Sequence, residues 1–289
     1  MAEEPRCQRC GVALTGQSVD ELCANCMLKL ALEPPREATG HVEPIALGGM
    51  GVLVRPTAAR FTTTLWTEVL TAPRNEKALA SLCRKYWYPL YAFLRRSGVS
   101  SHEAEDLTQG FFVHLLSKHG LETVRREYGR FRSFLIASLQ HFVADQRDRA
   151  LAAKRSPDQP LFELDARSAE GRYQLEPVER MNPATIFIRR WALTLLEEAL
   201  AALESEFMTS GRGDVFHELQ PFLCGEEGAR VYKDVAARLA ISEGAARVTV
   251  HRLRARYGEL VRREIAATLA AGEDLEAEMR HLFAALRNG

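Results

Sequence analysis

The chain has 289 residues, enough for about two domains, and 46% hydrophobic, 26% charged and 8% aromatic residues, the balance of a folded globular protein and not of a disordered one. Formal net charge is zero, no apolar run reaches the roughly eighteen residues a membrane span needs, and the opening MAEEPRC has no secretory-signal character. These features set aside membrane and secreted classes and lead to the expectation of a cytoplasmic protein, nucleoid-associated if it binds DNA.

The first segment, residues 1–32, carries Cys7, Cys10, Cys23 and Cys26 in the spacing C-x2-C-x12-C-x2-C. Each C-x2-C pair presents two thiolates to one ion, and four thiolates close a tetrahedral shell around Zn2+, with an iron-sulfur site or free thiols as the alternatives. With no open coordination position, such a zinc is structural and not catalytic. Gly11 relieves the turn after Cys10. Cys83 and Cys224 stand apart from this set and are expected to be reduced, buried thiols.

Residues 33–60 form a Pro- and Gly-rich linker. Within it, Leu47-Gly48-Gly49-Met50-Gly51-Val52 resembles the glycine-rich loop of protein kinases. The companions of that loop are missing: no V-A-I-K, H-R-D or D-F-G follows. A flexible linker or a vestige of domain shuffling is the simpler reading.

Residues 61–155 have helical periodicity. Ala104, Leu107, Phe111 and Leu115 make one stripe, with Ser101 or Ser100 as N-cap; Phe131, Phe134, Leu135, Ser138 and Phe142 make another, with Arg132, Ile136, Gln140, His141 and Arg147 opposite. Residues 156–183 read as a polar tether containing SPDQP and EPVERMNP, and 184–289 are helical again, opening with the stripe Trp191, Leu195, Leu196, Ala199, Leu203 and Phe207. The expected fold is all-α: two helical domains joined by a polar tether, plus a small N-terminal zinc knuckle.

Charge follows these divisions. Leu121 to Arg155 holds eight Lys/Arg against four Asp/Glu, and Arg230 to Glu264 holds nine against four, whereas Asp158 to Glu206 holds ten acidic residues against five Arg. Two basic segments separated by an acidic one suit two nucleic-acid-facing modules and a spacer. Solvated helix faces would give a similar pattern.

The strongest nucleic-acid signal is YKDVAARLAISEGAARVTVHRLRARY, from Tyr232 to Tyr257. Val235, Ala236 and Leu239 line a first helix, Ala240-Ile241-Ser242 turns, and Ser242 caps a second helix buried along Ala246, Val250, Leu253 and Tyr257. That register faces Glu243, Gly244, Arg247, Val248, His251, Arg252 and Arg254 outward, as a major-groove recognition helix requires.

Two stretches resemble one family. YWYPLYAFLRRSGVSSHEAEDLTQGFFVHLL with GRFRSFLIASLQHFVADQRDRALAAKR is similar to domain two of extracytoplasmic-function sigma factors, and the Tyr232–Tyr257 stretch is similar to their domain four. FTTTLW at 61–66, RRWALTLLEEAL at 189–200 and MRHLFAAL at 279–286 resemble the large sigma-like group of planctomycete-type bacteria. The resemblance implies sigma domain two over 61–155 and sigma domain four over 184–289, the latter including a C-terminal helix.

It further implies a non-enzymatic factor that binds core RNA polymerase and directs promoter-specific initiation. Asp106, Gln109 and Val113 would meet the β′ clamp helices, and domain four would lie at the β flap. Arg130, Arg132, Phe134, Gln140, His141 and Arg147 are the −10 candidates, since aromatic and basic side chains suit an opened strand. His141 stands where the family often has Asn. Phe131, Phe134 and Phe142 read as core before base-stacking platforms. Ser242, Glu243, Gly244, Arg247, Val248, His251, Arg252 and Arg254 would serve at −35. Promoter DNA is the second expected partner, and an anti-sigma factor or kinase a further one. A core-independent helix-turn-helix regulator and a zinc-knuckle adaptor remain the alternatives. The stripe Leu275, Met279, Leu282, Phe283 and Leu286 would bind a partner or fold back on domain four.

Overall fold

The computed structural model describes residues 6–7, 9–12, 14, 18–20, 22–32, 76–117, 130–152, 170–171, 173–174, 181–224, 229–269 and 272–287. The linker at 33–60 with its glycine-rich stretch, the FTTTLW segment and most of the tether lie outside them. In chain order the described elements are β1 (Ser18–Val19), β2 (Leu22–Cys23), α1 (Ala24–Leu32), α2 (Glu76–Arg96), α3 (Ser101–Ser117), α4 (Phe131–Ala152) and α5 (Pro183–Thr209). After them come α6 (Gly213–Leu219), a 3-10 turn (Gln220–Cys224), α7 (Ala229–Arg238), α8 (Glu243–Ala267) and α9 (Leu275–Arg287). The described residues are mostly helical, as the periodicity predicts. None of the helices among them is long and apolar enough to cross a membrane.

The chain forms two compact units, each discontinuous: Met1–Thr63 with Leu196–Arg263, and Thr64–Leu195 with Glu264–Gly289. These divisions differ from those expected. The cysteine module shares a unit with the helix-turn-helix, and α9 belongs with 64–195. The physical reason for the latter is a buried ion-pair cluster: Glu278 of α9 meets Arg130 and Arg132, so its helix cannot leave without stranding charge.

In the 64–195 unit, Pro89 lies inside α2 without ending it. Neighbouring Tyr86, Trp87, Leu90 and Tyr91 are all buried, and their packing outweighs the ~3 kcal/mol that an interior proline costs. Tyr86 meets Phe131 edge-on at 5.4 Å, and Phe111 meets Phe142 at 5.9 Å, placing Phe131 and Phe142 in the core. α4 buries Phe131, Arg132, Leu135, Leu139, Phe142 and Val143, a wider face than the expected stripe. Residues of the tether dock here: Tyr91 donates to Glu170 at 2.5 Å and Arg95 donates to it through two nitrogens at 2.9 Å.

Three helices end in the same reversal, with a left-handed residue after the last turn and a bond from the next amide back five residues. Gly98 (φ 88) closes α2 and Gly211 (φ 69) closes α5, with Val99 N–H on Leu94 O and Arg212 N–H on Phe207 O. α7 closes the same way, Ile241 N–H on Ala236 O at 2.9 Å, but there the left-handed residue is Ala240 (φ 53).

Candidate metal centre and nucleic-acid interface

The cysteine module is built from two tight turns. Gly11 (φ 73) follows Cys10, with Gly11 N–H on Cys7 O and Cys7 N–H on Val12 O, both at 2.8 Å. Cys23 ends the two-residue hairpin, Ser18 opposite Cys23 and Val19 opposite Leu22, and Cys26 sits in the first turn of α1. The four sulfurs lie within 4.8 Å of one another. Cys7–Cys26 is 3.7 Å and Cys10–Cys23 is 3.5 Å, close to the ~3.8 Å edge of a tetrahedron with Zn–S bonds of about 2.3 Å. No disulfide joins them. The donor set therefore fits a tetrahedral metal ion, with Cys10 exposed and the other three buried.

Hydrogen bonding from Cys26 lowers Cys23 to about 5, and burial raises Cys10. Cys26, which supplies that bond, is pushed up. A bound cation would draw all four toward thiolate. Cys224, expected to stand apart, packs against this cluster, its Sγ 3.5 Å from Cys23 O. Burial pushes it up to about 12, and does the same to Cys83, up to about 11.

The helix-turn-helix has the expected register. Ala246, Val250, Leu253 and Tyr257 are buried, and Ser242 caps α8, its Oγ accepting from Ala245 N–H at 3.1 Å. Ser242, Gly244, Arg247 and Arg252 are exposed; Glu243, Val248 and His251 are half-buried. Arg247 is held by its neighbours, 2.7 Å from Glu243 and over the Tyr232 ring at 4.5 Å. Arg254 corrects the expectation of an outward residue. Its Nε and Nη2 both donate to Phe222 O, at 2.9 and 2.7 Å, satisfying a carbonyl of the 3-10 turn.

In α3, Ser100 is the cap, accepting from Glu103 N–H at 3.3 Å. Ala104, Phe111 and Leu115 face inward. Asp106 and Val113 are exposed and Gln109 is half-buried, its amide 3.3 Å from Glu105. His102 lies 3.7 Å from Asp106.

The six −10 candidates divide. Gln140, His141 and Arg147 are exposed along α4, and Phe134 is half-buried beside Phe131 at 6.0 Å. Arg130 and Arg132 correct the expectation of free, outward cations. Arg130 contacts Glu273 and Glu278, each at 2.8 Å, and Arg132 reaches Glu278 at 2.5 Å. Arg132 is 5% exposed and Glu278 fully buried.

Sequence reasoning missed Glu278, Gly258 and Glu170. The first two had a signal: Glu278 falls on the apolar register of Leu275, Met279 and Leu282, and Gly258 interrupts the buried face of a long helix, where glycine is costly without a packing reason. Glu170 had none. No family model, curated protein or solved structure matches this chain.

Proposed function

We propose that the chain is a sigma-type initiation factor that binds core RNA polymerase and directs it to promoter DNA. The observation that carries this reading is the helix-turn-helix, whose reversed turn at Ala240, cap at Ser242 and buried stripe leave Arg247 and Arg252 exposed. α8 enters the major groove by its first turns, where Gly244 permits close approach and Arg247 exchanges Glu243 for a base edge or phosphate. Arg252 contacts the backbone. The face of α3 that carries exposed Asp106 and Val113 and half-buried Gln109 docks on the polymerase clamp. Gln140, His141 and Arg147 meet the −10 strand; Arg130, Arg132 and Arg254 take no part in DNA contact because each already serves the fold. The four cysteines hold one structural Zn2+. The factor is no enzyme; polymerisation belongs to its partner.

The engagement of Arg130 and Arg132 by Glu273 and Glu278 favours a second reading, a core-independent helix-turn-helix regulator. One experiment separates them: purified chain, bacterial core polymerase and a library of promoter fragments from the source genome. Core-dependent initiation from a defined subset supports the sigma reading. DNA binding with no core association refutes it in favour of the regulator.

A further inference from the structure

The cysteine module is seated on the helix-turn-helix unit at two places. At the first, α1 runs into α8. A Cβ placed on Gly258 would come within 2.5 Å of Leu30 O and 3.1 Å of Leu30 C, so the α1 backbone rests directly on that of α8. One turn on, Arg262 donates to Ala31 O at 3.0 Å, satisfying a carbonyl that the end of α1 leaves unpaired. At the second, the 3-10 turn meets the hairpin: Gln220 donates to Asp20 at 3.1 Å, and Cys224 Sγ reaches Cys23 O at 3.5 Å. That turn is in turn fastened to the middle of α8, since Phe222 O accepts both donors of Arg254.

The module cannot hold these positions by its own burial. It has two strands of two residues each and a helix of nine, and elements this small need a metal or another staple to fold. Gly258 makes the fit specific. In a helix interior, alanine is intrinsically preferred, yet only glycine leaves room for Leu30 O.

We propose that the metal-loaded cysteine module is a brace for α8, with Gly258 and Arg262 as positioning residues, so that metal occupancy controls how firmly the recognition helix is held. The proposal rests on the metal reading of Cys7, Cys10, Cys23 and Cys26 and is independent of the sigma reading. It extends the role of the ion from folding its own knuckle to setting the rigidity of α8.

Hydrogen exchange of the full chain tests it, with metal content measured on the same samples. Stripping zinc with a chelator should speed exchange across residues 250–262 about tenfold or more, and returning zinc should reverse this. Gly258→Ala should retain its zinc but show the same acceleration when loaded, and chelation should add little further. Exchange in 250–262 that ignores chelation while residues 24–31 open would overturn the brace. So would a loaded Gly258→Ala protein that exchanges no faster than the parent, the result helix propensity alone predicts. A chain that takes up no zinc overturns the metal reading and the brace with it. Failure of promoter binding with the exchange result intact would instead sink only the sigma reading.

Discussion

Arg132 Nη1 lies 2.5 Å from Glu278 Oε1 inside the 64–195/264–289 unit, joining α4 to α9. Arg130 takes the other carboxylate oxygen at 2.8 Å, and the Arg132 guanidinium lies over the Trp191 ring at 4.7 Å. Two cations thus share one fully buried carboxylate. Removing the carboxylate leaves Arg130 its contact with Glu273 but strands the buried Arg132, so Glu278→Ala should cost about 3–5 kcal/mol in denaturant unfolding. Arg132→Met combined with Glu278→Leu should recover much of that loss, because apolar replacement of a buried pair is often neutral. A Glu278→Ala protein as stable as the parent would show that the cluster does not hold α9.

Ala240 occupies the left-handed position that glycine fills at the ends of α2 and α5. A Cβ there costs roughly 1 kcal/mol. Ala240→Gly should raise unfolding free energy by about that amount, less the extra entropy glycine brings to the unfolded chain. Metal content should not change.

The arginines of α8 should separate by role. Arg252→Ala should weaken binding to duplex DNA and lower the salt dependence by about one phosphate contact. Arg254→Ala should act mainly on stability, since its donors serve Phe222 O. Glu243→Ala should release Arg247 and raise DNA affinity. Fluorescence anisotropy over a range of salt, paired with thermal unfolding, reads all three.

Glu170 gives the tether a dependence on acid. Hydrogen bonds from Arg95 hold its carboxyl below the usual 4.5. A carboxylate lowered in the folded state stabilises above its unfolded value and loses that contribution as pH falls through the folded one. The stability gap between parent and Glu170→Gln should therefore be full at neutral pH, on the order of 1 kcal/mol for a half-buried pair, and should close below pH ~4.5. A gap that persists in acid would show that the carboxylate charge is not its source.

The helical fold, the cysteine set and the register of α8 were legible because each is written in local spacing. Ala246, Val250, Leu253 and Tyr257 recur at helical intervals, and Ser242 stands where a cap belongs. What local spacing hides is a charged residue on an inward register. Arg132 and Arg254 read as solvent-facing by type, and only partners distant in sequence, Glu278 and the Phe222 carbonyl, make their burial tolerable. The seat of the cysteine module was hidden for a related reason: a glycine reports a close approach without naming what approaches.

The interleaving of the two units has a consequence for biogenesis. Thr64–Leu195 leaves the ribosome well before Glu264–Gly289, so Arg130 and Arg132 wait through the synthesis of Leu196–Arg263 for Glu278. Closure of that unit joins residues 143 apart, as between Arg130 and Glu273, and such distant pairings are slow to form. The nascent chain therefore passes through a stage in which the Leu196–Arg263 helices have emerged while the preceding unit still has an open face, the kind of surface that chaperones engage.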